Sequence, residues 1–274
     1  MTGAIYLNGA TLMTTSTERV AVIARDAGYA GIEARAERLL KDPDEVRATA
    51  AIVRPNEVFT LNGVALSLRS DGRMDRDLLE ADLAARLDIC TQMGSPYLLA
   101  IAPRYPGLAT SRAIPGTRNA LEVARDMANA VGVRVAFEFL GFPDSPINTP
   151  ALAAETVDGI DGVWLVLDSC HWHASGGRSL DGYPIDRLAL VHLNDVPAKP
   201  PSALEDVDRV LPGEGVIDLP RLLGDLDQGG YVGPWSLETF NPAYWQEDPG
   251  AVARRGMSAM HRIVRDVRSS SNRT

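Results

Sequence analysis

Four apolar segments of the sequence each run into a residue whose side chain can bind a metal ion. The segments are 133–139, 163–168, 188–195 and 233–240, and the residues are Glu138, Asp168, His192 and Glu238. An unbroken apolar run is typical of a strand buried on both faces. An aspartate that closes a strand often serves only as a turn or helix cap. The recurrence at four successive strand ends is better explained by one shared site.

Three carboxylates and one imidazole form a ligand set for a hard or borderline divalent ion. Mn²⁺ is the first choice, with Mg²⁺, Co²⁺ and Zn²⁺ as alternatives. Each residue also has a purely structural interpretation, as a helix cap, a buried ion pair or a satisfied core histidine. His171 follows Asp168 by three positions, so both side chains can face one pocket. We therefore predict one divalent ion bound by Glu138, Asp168, His192 and Glu238.

These four segments are the last of eight predicted strands that alternate with predicted helices. The earlier strands are 4–8, 31–35, 58–68 and 97–101, and the helices are 15–28, 43–52, 75–93, 114–131, 149–157, 183–188, 218–228 and 250–267. Regular alternation predicts a parallel sheet with helical crossovers, an α/β fold. Eight units within 1–268 favour a single (β/α)8 TIM barrel, whose active site lies at the carboxyl ends of the strands. The serine-rich end, 269–274, is predicted to be a disordered tail.

Composition and charge restrict the partners of this barrel. The chain has 274 residues and a formal net charge of −9, which disfavours nucleic acid and anionic membrane. Two separated cysteines suit a reducing compartment, and neither a signal peptide nor a membrane span is visible, so a cytoplasmic location is expected. We expect a small-molecule substrate, with a homo-oligomeric assembly left open.

The chain resembles the xylose-isomerase-like barrel superfamily, in the sugar isomerase/epimerase branch of tagatose 3-epimerase, hydroxypyruvate isomerase and inosose dehydratase. The likeness runs from residues 26–33 (DAGYAGIE) to residues 230–238 (GYVGPWSLE). Residues 167–171 (LDSCH) resemble the family's Asp-x-x-His signature, which implies that His171 contacts the substrate. Residues 209–215 (RVLPGEG) resemble the epimerases' Arg-x-x-Pro-Gly-x-Gly segment, which implies the same for Arg209.

The resemblance also implies a mechanism for a small hydroxy-ketone, a sugar or polyol ketone. A metal ion that holds two substrate oxygens acidifies the neighbouring C–H, and a carboxylate removes the proton to give a metal-stabilised enediolate. Glu138 and Glu238 are the two candidate catalytic residues, one on each face of the substrate. His171 and Arg209 would orient the substrate and stabilise the oxyanion. An unphosphorylated polyol ketone or keto acid is the expected substrate.

Three other functions fit parts of the same pattern. A lyase of the inosose or 3-dehydroshikimate type shares the scaffold and would need His171 or His173 to protonate a departing hydroxyl. An apurinic endonuclease of the endonuclease IV type needs a histidine-rich three-metal cluster, whereas this chain has four histidines in all. A non-catalytic barrel would have no use for the complete ligand set. We favour the isomerase or epimerase.

Overall fold

Eight parallel strands close into one barrel in chain order, in a computed structural model that describes the backbone of residues 3–271 and side chains as far as residue 264. The strands are β1 (Ile5–Asn8), β2 (Gly31–Arg35), β3 (Val58–Ala65), β4 (Tyr97–Ile101), β5 (Arg134–Glu138), β6 (Val163–Asp168), β7 (Leu188–Leu193) and β8 (Trp235–Leu237). Buried aliphatic side chains of strands and helices form a continuous core between the two layers. The predicted single (β/α)8 barrel is confirmed.

Nine α-helices connect or follow these strands within the described residues. They are α1 (Thr17–Asp26), α2 (Ala36–Leu39), α3 (Pro43–Ile52), α4 (Arg76–Met93), α5 (Thr110–Ala130), α6 (Pro150–Val157), α7 (Ser169–Ala174), α8 (Leu219–Gln228) and α9 (Pro249–Ser271). In this part of the chain, no helix combines the length and the apolar character that a membrane crossing requires.

The connection after β6 differs from the predicted loop and helix. Helix α7 begins at once after Asp168, whose Oδ1 accepts the amide of His171 at 2.8 Å and caps the helix. The predicted helix at 183–188 is only a 3₁₀ turn, Ile185–Arg187. The last helix is described as far as Ser271, beyond its predicted end. Residues 272–274 of the predicted tail lie outside the described residues.

The parallel register brings polar residues of neighbouring strands together at the carboxyl end of the barrel. Asn8 of β1 is paired with Glu33 of β2, and Asp168 of β6 with His192 of β7. Successive residues of a strand point to opposite faces, so only alternate positions face the barrel interior. The register thus sets which polar side chains share one layer of the interior.

The opposite end of the barrel is filled by aromatic side chains from the amino-terminal ends of four strands. The ring centroids of Tyr6 and Phe59 are 4.8 Å apart, and those of Phe59 and Tyr97 are 5.3 Å apart. Trp164 meets Tyr97 edge-on at 6.1 Å, and the guanidinium of Arg134 lies 4.1 Å from the Tyr97 centroid. These contacts add to the stabilisation from burial and pack the barrel interior at this end.

Candidate active site

The four predicted metal ligands meet at the carboxyl end of the barrel. Glu138, Asp168, His192 and Glu238 are all buried, and one ligand atom from each lies within 4.8 Å of the others. Glu138 and Asp168 end their strands, His192 lies near the end of β7, and Glu238 follows β8 directly. Ligand bonds to such ions are about 2.0–2.2 Å long, so the cluster has the dimensions for one shared ion.

The electrostatics of the cluster fit a cation. Burial lowers the pKa of His192, but Glu238, Glu33 and Glu138 outweigh that effect and raise it well above the usual value. Nδ1 of His192 lies 3.0 Å from Glu138 and 3.2 Å from Glu238. The three carboxylates thus favour positive charge at the point where a metal ion would bind, and the donor types match a divalent ion.

A fourth buried acid, Glu33, contacts the other nitrogen of His192. Its two carboxylate oxygens lie 3.1 and 3.2 Å from Nε2 of His192, and they also accept Asn8 Nδ2 at 3.1 Å and Thr60 Oγ1 at 2.6 Å. Burial raises the pKa of Glu33, but His192 and the hydrogen bonds lower it more, so the carboxylate stays ionised. Glu33 therefore orients the ring so that Nδ1 faces Glu138 and Glu238.

Replacing Glu33 by glutamine is expected to weaken Mn²⁺ binding by about 10–100-fold, the range for partners of a ligating histidine. The glutamine keeps the size of the side chain but removes the charge that makes His192 a stronger ligand. Calorimetric titration of metal-free protein measures this directly. Glu57→Gln is the matched control, because Glu57 is also buried but pairs with Arg25 outside the cluster. Equal affinity in the Glu33 and Glu57 variants would contradict the assignment.

The carboxylate of Glu238 accepts hydrogen bonds on both oxygens. Oε1 accepts Nδ2 of Asn8 at 2.9 Å and Nδ2 of Asn62 at 3.4 Å, with Nη1 of Arg35 at 3.5 Å. Oε2 accepts Nη1 of Arg209 at 2.7 Å. Both oxygens of Glu238 are therefore already engaged by donors from other parts of the barrel.

Glu138 has a much poorer set of partners. Among the described side chains, its one hydrogen-bonding neighbour is Nδ1 of His192. Burial raises the pKa of Glu138 to about 7, with Glu238 and Asp168 acting in the same direction and His192 opposing them. The two glutamates that the sequence treats as equivalent therefore differ, and Glu138 has the basicity expected of a group that exchanges protons near neutral pH.

The ring of His171 is held in one tautomer by its neighbour. Nη2 of Arg209 lies 3.1 Å from Nε2 of His171. A guanidinium only donates hydrogen bonds, so Nε2 must accept and Nδ1 carries the proton. Nδ1 has no partner in the described structure. Burial lowers the pKa of His171 to about 3, an effect that the charge of Arg209 reinforces. His171 is therefore a neutral hydrogen-bond donor.

Arg209 lies in the cluster although a long loop carries it. Its Nη1 donates to Asp168 at 3.0 Å as well as to Glu238, and its Nη2 donates to Asp206 at 2.7 Å. Asp195 fixes the end of this loop. Its carboxylate accepts the backbone amide of Gly213 at 3.1 Å and that of Ile217 at 2.8 Å. The structure thus places both predicted substrate contacts, His171 and Arg209, beside the ligand set.

A cavity of about 410 Å³ opens above the cluster. Glu138, Glu238, His171 and Arg209 line its polar side. Aliphatic side chains form the other wall, namely Leu66, Leu68, Leu99, Ile101 and Leu140. A volume of this size suits a small organic molecule, and the two-sided lining suits a ring or chain with apolar C–H faces and polar edges.

Among the aromatic residues near the site, Tyr105 and Phe240 line the cavity, whereas Trp172 and Trp245 do not. Trp172 donates its indole N–H to the carbonyl of Arg178 at 2.8 Å. Trp245 donates to the carbonyl of Ala10 at 2.9 Å. Both indoles are thereby fixed by backbone contacts.

Sequence reasoning missed Asn8, Glu33, Arg35 and Asn62. Asn8 and Glu33 could have been found from the sequence, because Asn8 ends the apolar strand β1 and Glu33 interrupts the apolar strand β2. Their partners lie far away along the chain, so the roles emerge only from the closed barrel. Asn62 carries no local signal that separates it from a strand-edge amide.

Comparisons with known proteins agree with the barrel fold described above. The family model described as xylose isomerase-like TIM barrel matches residues 22–263. A crystal structure of the IolI protein with a bound zinc atom superimposes with a TM-score of 0.81 at 26% identity, covering 97% of this chain and 98% of that one.

Two curated relatives are inosose isomerases. The enzyme of Bacillus subtilis is 31% identical over 198 residues, which span 69% of each chain. The enzyme of Halalkalibacterium halodurans is 39% identical over 132 residues. That alignment spans about half of both proteins, 47% of each.

Proposed function

The chain belongs to the xylose isomerase-like TIM-barrel family, and we propose that it is a divalent-metal-dependent isomerase or epimerase of a small hydroxy-ketone. A sugar or polyol ketone is the substrate class, with an inosose as the first candidate because the similar curated enzymes are inosose isomerases. The observation that carries the proposal is the buried cluster of Glu138, Asp168, His192 and Glu238 beneath a cavity of about 410 Å³.

The cluster is proposed to hold the ion, with Mn²⁺ as the first candidate and Zn²⁺ as the alternative. Three carboxylates favour a hard ion, and the imidazole extends the choice to borderline ions. When bound, such an ion supplies Lewis acidity that polarises the substrate carbonyl and makes the neighbouring C–H more acidic. Glu33 contributes by fixing the imidazole of His192.

Glu138 is proposed to be the residue that removes the proton from carbon. It lines the cavity, it has one described hydrogen-bonding neighbour, and burial raises its pKa to about 7. The N–H at Nδ1 of His171 and the guanidinium of Arg209 are proposed donors to the substrate oxygens, where negative charge develops.

The unequal glutamates favour a carbonyl shift between neighbouring carbons over inversion at one carbon. One base on one face can take a proton from a carbon and return it to the next carbon. Inversion requires a second group on the opposite face, and Glu238 would have to carry a proton there. Both of its oxygens already accept hydrogen bonds, from Asn8, Asn62 and Arg209, whereas Glu138 has one such neighbour among the described side chains. We therefore place isomerase ahead of epimerase.

The lyase is the less favoured reading of the same site. A dehydration needs a group that protonates the departing hydroxyl, and His171 is the nearest histidine. Since Nε2 of His171 accepts from Arg209, the ring is neutral, and a neutral imidazole is a weak acid. A small-molecule substrate remains part of the proposal, supported by the net charge of −9.

A reaction in D₂O distinguishes these chemistries. With an inosose as substrate, the product is expected to gain one solvent deuterium on the carbon that receives the proton and to keep its mass otherwise, as read by mass spectrometry and NMR. If the substrate is deuterated at the migrating position and the solvent is H₂O, retention of part of the label indicates a single base. Loss of water with an ultraviolet-absorbing product would assign the protein to the lyases. Absence of exchange and turnover across a panel of polyol ketones would refute the enediolate mechanism.

A further inference from the structure

We propose that this cavity selects uncharged polyhydroxy-ketones and disfavours carboxylate- or phosphate-bearing substrates, because its arginines are already neutralised by carboxylates of the protein. The inference rests on the proposed function and specifies its substrate class. Three guanidinium groups line the cavity, those of Arg35, Arg104 and Arg209. A lining of three arginines usually suggests an anionic ligand, so the partners of each one decide the matter.

Arg209 is neutralised from inside the barrel. Asp168, Asp206 and Glu238 each place an oxygen within 3.0 Å of its terminal nitrogens. The guanidinium is buried, with 1% of the side chain exposed. An incoming anion would have to compete with three carboxylates that are held in place by the fold.

Arg35 is held at the edge of the cavity by Glu37, whose carboxylate lies 2.9 Å from Nη2. The guanidinium also lies over the ring of Phe240, 5.0 Å from its centroid. A Cβ at Gly9 would lie 3.0 Å from Cγ of Arg35, so the glycine leaves room for this side chain. These contacts keep Arg35 beside the cavity and already paired.

Arg104 has the same arrangement on the other side of the opening. Its Nε donates to Asp144 at 2.8 Å, and its guanidinium lies 5.3 Å from the ring centroid of Phe142. Each arginine of the lining thus has its own carboxylate.

The balance of charge around the cavity is negative. Six carboxylates line the cavity or pair with its three guanidinium groups, namely those of Glu37, Glu138, Asp144, Asp168, Asp206 and Glu238. A divalent ion raises the positive charge from three to five, still below the six carboxylates. An anionic substrate is therefore repelled. The hydroxyls of a neutral polyol can still accept hydrogen bonds from the guanidinium groups, because this does not require the arginines to leave their carboxylate partners.

This charge pattern separates the two substrate classes that share the scaffold. Dehydration of the 3-dehydroshikimate type uses a substrate that carries a carboxylate. The cavity would need an unpaired cation to bind that carboxylate. An inosose carries no charge. Glu37 and Asp144 would therefore be specificity-determining residues, acting by occupying arginines and not by touching the substrate.

Shikimate and its methyl ester test the proposal, because they share one hydroxylated ring and differ in a single negative charge. Binding to the Mn²⁺-loaded enzyme is measured by calorimetry. The ester is expected to bind at least about fivefold more tightly than the acid. Glu37→Gln should raise the affinity for shikimate roughly fivefold, the scale of a partly exposed charge pair, and leave the ester unchanged. Glu80→Gln makes the same change of net charge on α4 and should alter neither affinity.

Several results would overturn the proposal. These are equal or tighter binding of the acid to the unmodified enzyme, failure of the ester to bind, and an unchanged acid affinity in the Glu37 variant. The binding measurement uses no turnover, so its outcome is independent of the D₂O experiment. Turnover with loss of water would refute the isomerase while leaving the charge selectivity to be judged by the two probes.

Discussion

Replacing Glu138 by glutamine is expected to lower kcat by about 10²–10⁴-fold even when the metal site is saturated. The amide oxygen can still contact an ion, but the side chain can no longer take up a proton. Burial raises the pKa of Glu138 to about 7. Exchange of the substrate C–H with solvent deuterium, followed by NMR at saturating Mn²⁺, measures the loss directly.

The matched comparison is Glu238→Gln, assayed at its own saturating Mn²⁺ concentration. Both oxygens of Glu238 already accept hydrogen bonds from Asn8, Asn62 and Arg209, so this variant should bind the ion more weakly but retain faster C–H exchange than Glu138→Gln. Glu80→Gln on the exposed face of α4 should behave as the unmodified enzyme. Equal loss of exchange in the Glu138 and Glu238 variants would refute the single-base assignment and favour a base on each face.

Asp168→Asn is expected to weaken Mn²⁺ binding by at least about 100-fold, since changes to the partners of a ligand alone cost 10–100-fold. The substitution removes a charged ligand. It also turns an amide NH₂ toward Asn194 and Arg209, both of which donate to Oδ2 of Asp168 at 2.7 and 3.0 Å. This donor conflict should lower the free energy of unfolding by about 1–3 kcal/mol.

Calorimetric Mn²⁺ titration and thermal denaturation of metal-free protein separate the two effects of Asp168→Asn. Asp126→Asn is the control, because Asp126 is exposed on α5 and makes the same chemical change outside the barrel interior. Unaltered Mn²⁺ affinity in the Asp168 variant would exclude this residue as a ligand. A loss of stability without a loss of affinity would leave it only the role of capping α7.

The barrel and the cluster could be predicted from the sequence because both follow from local residue patterns. Glu138, Asp168, His192 and Glu238 each close an apolar strand, and parallel strands deliver their carboxyl ends to one side. The role of Glu33 could not be predicted, because its partner His192 lies 159 positions away and only barrel closure brings the two together. Helix α7 escaped because its start depends on one capping contact from Asp168. The unequal hydrogen bonding of Glu138 and Glu238 depends on donors from four other segments, which the closed barrel brings together.

Among the described residues, the aromatic layer closes the amino-terminal end of the barrel. Tyr6, Phe59, Tyr97 and Trp164 pack the interior at that end, so substrate and product share the opening above the cluster. Each turnover then has to finish its exit before the next molecule can enter. An isomerase built this way handles two molecules of the same formula through one passage. Product that has not left therefore competes with substrate for the same passage.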